Sequence, residues 1–349
     1  MTIARYDTLD AALDTLSGYG SELGNGNFNH APMVAEALCA LGRPAMVMPW
    51  IERYRERMLP RATPGEPIRA DAWREALGRR ERFADWSRFF REALAAAPWR
   101  AVLERWVGCL APGFSAAATH GPIRVGHAVR GLTDSETPQR RGELADALAS
   151  WAASYSELPP DNGGGNGRLP PREALAQVAI VPAERRRPGN IAAALARLGE
   201  FPDFAASIGA VDLGGNIDAR LEELCELFAR VALAHIRNIP TAIAFVHGVT
   251  GLVALGHIVP HVGEASARSL LRYAWQAGCG LYACFADGSG LAPEGAGGED
   301  AAVLVERALA NGDEHVIKFA EACLWRYRLA PSPAYPAAVA HVIATISAR

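Results

Sequence analysis

The chain predicts an all-α fold, a single large multi-helix domain spanning residues 1–349, on three observations. Alanine dominates the composition with leucine and arginine behind it, a mixture that favours helix by propensity. Apolar residues recur at helical spacing, whereas β-branched runs with strict alternation are scarce. Half the residues are apolar, and 349 residues suffice to bury a substantial core.

In chain order, residues 8–23 are expected to form a first amphipathic helix, broken by the polar run 24–29. In GNGNFNHAPMVAEALCALG, Pro32 suits a first helical turn and Met33, Ala37, Leu38 and Leu41 form an apolar face. His30 then sits at or just before a helix N-terminus, as a functional group or simply as a cap or turn residue. A helix through 46–58 follows, and the charged segment 60–82 is expected on the surface. Two helices rich in Trp and Phe cover 86–96 and 98–110. Trp99 and Trp106 share a face there and build core.

The stretch AAATHGPIRVGHAVRGL, residues 116–132, carries Gly121 and Pro122, so His120 is expected to precede a helix that contains His127. In one continuous helix the two imidazoles would lie ~10 Å apart along the axis, too far for two ligands of one metal. The break frees His120 to point elsewhere. Arg124 and Arg130 either bind an oxyanion or pair with carboxylates.

A long helix is expected over 137–158, and PPDNGGGNGRLPP at 159–171 reads as a hinge, linker or exposed loop where a domain boundary would fall. Asn190 caps a helix starting near 189, and another covers 218–236. Residues 241–262 are apolar nearly all round, as in a buried helix, and carry His247 and Thr250 on one face. A buried histidine must bond a neighbour or bind a ligand. His257 and His261 flank Pro260, and His235 and His341 have no informative context. A helix over 266–285 leads to the glycine-rich stretch 288–300, a lid or an inert surface loop. Its glycines follow no strand and match no nucleotide-binding fingerprint.

Residues 311–314 read as the start of a helix that carries His315 and Lys318 on one face. Lys318 is the only lysine in the chain, every other basic residue of this class being arginine. A neutral lysine does what arginine cannot: it forms an imine, acts as a base, or adds carbon dioxide to become a carbamate. A last short helix follows Pro331, Pro333 and Pro336.

A net charge of −3 gives no basic field for nucleic acid. The first residues lack the pattern of a secretory signal and no apolar run is expected to reach spanning length, so a cytoplasmic protein without a membrane segment is expected. The six cysteines read as small buried hydrophobes rather than disulfides or a zinc cluster.

Four segments in order, NHAPMVAEAL at 29–38, THGPIRVGHAVR at 119–130, FVHGVTG at 245–251 and EHVIKFAEAC at 314–323, resemble the questin oxidase-like family. PWRAVLERW at 98–106 fits too, so the resemblance spans nearly the whole chain. Fungal members of that family open the quinone ring of anthraquinones in a Baeyer-Villiger type oxidation that uses reduced NADP. The resemblance implies an oxygenase acting with dioxygen on a small aromatic or quinone-like ketone. It also implies a buried, histidine-lined cavity in which His30, His120, His247 and His315 hold a metal, iron first, with a carbamylated Lys318 adding an oxygen. Arg124 and His127 would stand beside these ligands as catalytic groups that stabilise developing negative charge. With no dinucleotide fingerprint in the chain, NADPH would serve as an external reductant. Rival readings are a zinc-type hydrolase or lyase, imine chemistry at Lys318, and a non-catalytic helical binding protein.

Overall fold

Leu9, Ala12, Leu13 and Leu16 line one face of the first helix, α1 (Leu9–Leu16), in a computed structural model that describes residues 6–160, 167–291 and 299–348. The helix expected over 8–23 is therefore shorter. Gly18 and Gly20 are poor helix formers, and the chain instead extends as β1 (Tyr19–Leu23), pairing antiparallel with β2 (Met58–Pro60). Between these strands lie α2 (Ala31–Ala40), buried along its whole length, and α3 (Val47–Tyr54). The segment 60–82 is mostly exposed, as expected, except that Trp73 and Ala76 turn into the core.

Helices α4 (Phe83–Ala96) and α5 (Trp99–Leu110) carry a cluster of Trp86, Phe90 and Trp106, joined edge-on by Trp73. After α6 (Ala116–Asp134), α7 (Pro138–Ala153) starts on a Thr137 side chain that accepts from Arg140 N–H. It ends at Ala153, short of the expected 158. Short helices α8 (Pro171–Ala176), α9 (Ile191–Ala196, capped by Asn190) and α10 (Pro202–Ser207) follow. Of the loop at 159–171, residues 161–166 lie outside the described residues, and Leu169 is bridged to Val211. Residues 292–298 of the expected lid likewise lie outside them.

The remaining helices are α11 (Ile217–His235), α12 (Ile239–Ile258), α13 (Glu264–Phe285), α14 (Ala301–Asn311), α15 (Glu314–Leu329) and α16 (Ala334–Thr345). The described residues include sixteen α-helices, nine short 3-10 helices and one two-stranded sheet, so the fold is all-α. Two expectations change here. Asn311 ends α14 rather than starting the next helix, because Gly312 takes a left-handed φ of 76° as a helix stop and Asp313 caps α15. Ile239–His261 is long and apolar enough to cross a membrane, contrary to the expectation for any apolar run, but most of that stretch is buried among neighbouring helices, as in a core helix.

Four helices close a ring: α2 packs on α6, α6 on α12, α12 on α15 and α15 on α2. The α6–α12 approach is tight enough that a Cβ on Gly126 would sit 2.7 Å from the Cβ of Ala254. The cysteines are free thiols, and all but Cys109 are buried.

Candidate metal centre

Each helix of the ring delivers one histidine to the same place. His30 is the N-cap of α2, and its N–H donates to the Tyr54 hydroxyl on α3 at 3.2 Å. His120 follows a left-handed stretch in α6, where Ala117, Ala118 and Thr119 adopt φ of 47°, 57° and 67°. Regular helix resumes with Pro122 in its first turn, where the missing N–H costs nothing. His247 lies midway along α12, and His315 sits in the first turn of α15. All four are buried.

Their rings meet closely. The centroid of His120 is 4.6 Å from that of His30 and 4.5 Å from that of His247, and His315 lies 4.7 Å from His30 and 5.4 Å from His247. The Nε2 of His120 is 3.0 Å from that of His30 and 3.1 Å from that of His247. The opposite nitrogens are engaged outward. His120 Nδ1 donates to the Ala117 carbonyl, which the left-handed turn swings towards it, and His247 Nδ1 donates to the Ile243 carbonyl at 2.6 Å. His315 Nδ1 meets the Asp313 carboxylate at 3.0 Å.

Those outward bonds fix the tautomers. With their protons on Nδ1, His120 and His247 present bare lone pairs to each other at Nε2, and two acceptors cannot hydrogen-bond. A proton on one of them would resolve the conflict, but burial foremost, with Lys318 and the neighbouring imidazoles behind it, holds His30, His120 and His247 well below the usual imidazole range. Three helix N-termini, of α2, of the regular part of α6 and of α15, add positive potential. His120 and His247 are thus neutral imidazoles whose Nδ1–H groups are tied back and whose Nε2 lone pairs meet, with His30 Nε2 beside them and the His315 ring against His30 and His247, a donor set that suits a transition metal.

Lys318, one helical turn beyond His315, is buried, and burial pulls its amine down to about 8. It is not among the residues lining the cavity that opens onto the four histidines, which has a volume of about 340 Å³. Phe28 forms part of that wall and stacks on His120 with centroids 4.7 Å apart. Ile243 and Phe285 face it from α12 and α13. Two ion pairs stand at its edge: Arg57 grips Glu314 through both terminal nitrogens at 3.2 and 3.0 Å, and Arg80 reaches Glu22 at 3.0 Å. Asp313, Glu314 and His315 also offer donor atoms within 4.8 Å of one another, but Asp313 orients His315 and Glu314 faces Arg57.

The structure thus brings His30, His120, His247 and His315 together and buries Lys318 beside them. Arg124 and His127 lie elsewhere on α6. Arg124 is bound to Glu143 at 2.6 and 2.8 Å and to Ser150, while His127 donates to Glu36 at 2.6 Å, and neither lines the cavity. Phe28, Asp313, Arg57 and Glu314 are additions the sequence reading did not single out. For Asp313 the signal was present, since an acidic cap two residues before a histidine can reach both its N–H and its ring.

The family model described as Questin oxidase-like matches residues 28–323. No curated protein matches the chain.

Proposed function

The chain belongs to the questin oxidase-like family, and on that premise we propose that it is a metal-dependent oxygenase acting on a flat aromatic or quinone-like ketone. The observation that carries the metal is the 3.1 Å contact between two Nε2 lone pairs of His120 and His247, a contact that a cation between them relieves. The residues fit the group. His30, His120, His247 and His315 would hold it, and a carbamylated Lys318 would add an oxygen donor on the α15 side. Iron, our first choice of metal, would supply redox chemistry towards dioxygen.

The chain's own contribution is orientation and desolvation. Backbone carbonyls of Ala117 and Ile243 and the carboxylate of Asp313 fix three imidazole planes before any ligand arrives. Phe28, Ile243 and Phe285 give the cavity apolar walls against which an aromatic plate can lie, and about 340 Å³ falls within the range of small-molecule sites, about 300–1,000 Å³. The converging helix N-termini favour negative charge as it develops on substrate oxygen. In the overall reaction one oxygen atom inserts beside the carbonyl and the other leaves as water, with two electrons from an external reduced nicotinamide.

The test is elemental analysis of untagged protein prepared without chelator, beside a His315→Ala variant, followed by oxygen-uptake assays with quinones. About one iron per chain, lost in a folded variant, is expected. Stoichiometric zinc would shift the reading to hydrolytic or lyase chemistry. No metal in either sample, even after reconstitution under bicarbonate, would end it.

A further inference from the structure

The four histidine-bearing helices are joined a second time, further along the ring. In α2 and α15 the second contact lies six residues beyond the histidine, from His30 to Glu36 and from His315 to Glu321. In α6 and α12 it lies ten residues beyond, from His120 to Arg130 and from His247 to His257. At about 1.5 Å per residue this is roughly 9 to 15 Å away along the axes.

Arg130 is the hub of this layer. Its Nε and Nη2 donate to the two carboxylate oxygens of Glu36 on α2 at 2.6 and 2.5 Å. Its Nη1 donates to Glu321 on α15 at 2.5 Å and to His257 Nε2 on α12 at 3.2 Å. One guanidinium on α6 therefore touches all three other helices of the ring. His127 and the Tyr6 hydroxyl complete the shell by donating to Glu36 at 2.6 and 2.5 Å. Glu36 and Glu321 are each 3% exposed, and the Arg130 side chain 13%.

Charges so buried are a poor way to gain stability, since apolar packing would serve as well. What a planar fork supplies that apolar contact does not is register: each helix is held at one rotation and one height relative to α6. Four imidazoles converging from four helices need that register, because donor atoms of a metal site must be held within about 0.5 Å of their places. We infer that Arg130, through Glu36, Glu321 and His257, is a positioning residue that sets the geometry of the four-histidine centre. The inference rests on the metal reading above. It also accounts for His127, which bonds the clamp's carboxylate instead of facing the cavity.

Cobalt(II) serves as the probe, because its visible absorption reports both occupancy and geometry. It is titrated into chelator-treated full-length protein at a temperature where circular dichroism shows every variant folded. The variants are Arg130→Lys, Arg130→Met, and the triple change Arg130→Met, Glu36→Gln, Glu321→Gln, which leaves no unpaired charge buried if the single change fails to fold. The expected result is about 10–100-fold weaker cobalt binding in the methionine variants, with a shifted visible spectrum, and a smaller loss in Arg130→Lys. Folded Arg130→Met or triple variants with the wild-type affinity and spectrum would overturn the inference, even if their melting temperatures fell. A wild-type protein that binds no cobalt and no iron would instead remove the metal reading, and the inference with it.

Discussion

His120 and His247 point their Nε2 atoms at each other across 3.1 Å, each with its Nδ1 proton already committed to a backbone carbonyl. In the metal-free protein this contact is repulsive, and under the proposed metal reading a cation between the nitrogens would relieve it. Stability with and without metal therefore reports on it directly.

Replacing His247 by leucine removes one of the opposed lone pairs. In chelator-treated protein His247→Leu is expected to melt at or above the wild-type temperature. Added metal at about a thousand times its dissociation constant should stabilise the wild type by about 4 kcal/mol and leave the variant unmoved. Differential scanning calorimetry with and without metal reads both. A variant that is less stable without metal, yet gains as much as the wild type on loading, would contradict the tautomer argument.

The left-handed turn at Ala117–Thr119, whose Ala117 carbonyl accepts from the His120 ring, is strained. An L-residue there costs roughly 1–2 kcal/mol, which glycine avoids at some expense in unfolded-state entropy. Ala118→Gly, at φ 57°, should stabilise the metal-free protein by about 0.5–1 kcal/mol. Gly121→Ala should do the reverse, by about 1–3 kcal/mol, because its Cβ would come within 2.5 Å of the Trp151 ring. Urea denaturation of the pair decides the point, and a stabilised Gly121→Ala would place the close approach elsewhere.

What the sequence made legible here were features written in a few neighbouring residues. Ala-Leu-Arg composition announced the helices, Gly121 and Pro122 announced a break before the α6 helix, and Asn190 announced its cap. The four histidines stood out because each sits in a short segment similar to one family. Pairings between distant residues were not legible. Nothing local in Glu36 says that it meets Arg130 from another helix, and nothing in β1 names β2 as its partner. Arg124 and His127 share one family-like segment with His120, so the resemblance set them beside it, whereas the neighbours of α6 decide where they end: Glu143 of α7 and Glu36 of α2. The stop at Gly312 was missed because NGDE carries a helix end and a helix start within four residues.

Lys318 gives a pH dependence with a definite sign. Burial lowers its amine from 10.5 to about 8, so between those values the folded protein has released a proton that the unfolded chain still holds. Stability should therefore rise with pH across that window, with the full burial penalty present below about 8. In metal-free protein kept free of carbon dioxide, Lys318→Met should be more stable than the wild type by up to about 3 kcal/mol at pH 7. The gap should close towards pH 10.5. Denaturant titrations at the two pH values test this, and a constant gap would mean that the lysine does not titrate in the folded protein.

The ion pair of Arg57 and Glu314 sits where a ligand in the histidine-lined cavity would meet charge. As long as Glu314 holds both terminal nitrogens of Arg57, little attraction is left for an acidic substrate. Glu314→Gln frees that guanidinium, and a new charge-assisted hydrogen bond is worth about 1.5–3 kcal/mol. A hydroxyquinone bound as its phenolate should then bind roughly tenfold or more tightly, whereas its O-methylated counterpart should be unaffected. Arg57→Met should remove the discrimination. Fluorescence titrations of the two ligands against the wild type and both variants provide the comparison. Equal changes for the phenolate and the ether would mean that Arg57 acts on the fold and not on the ligand.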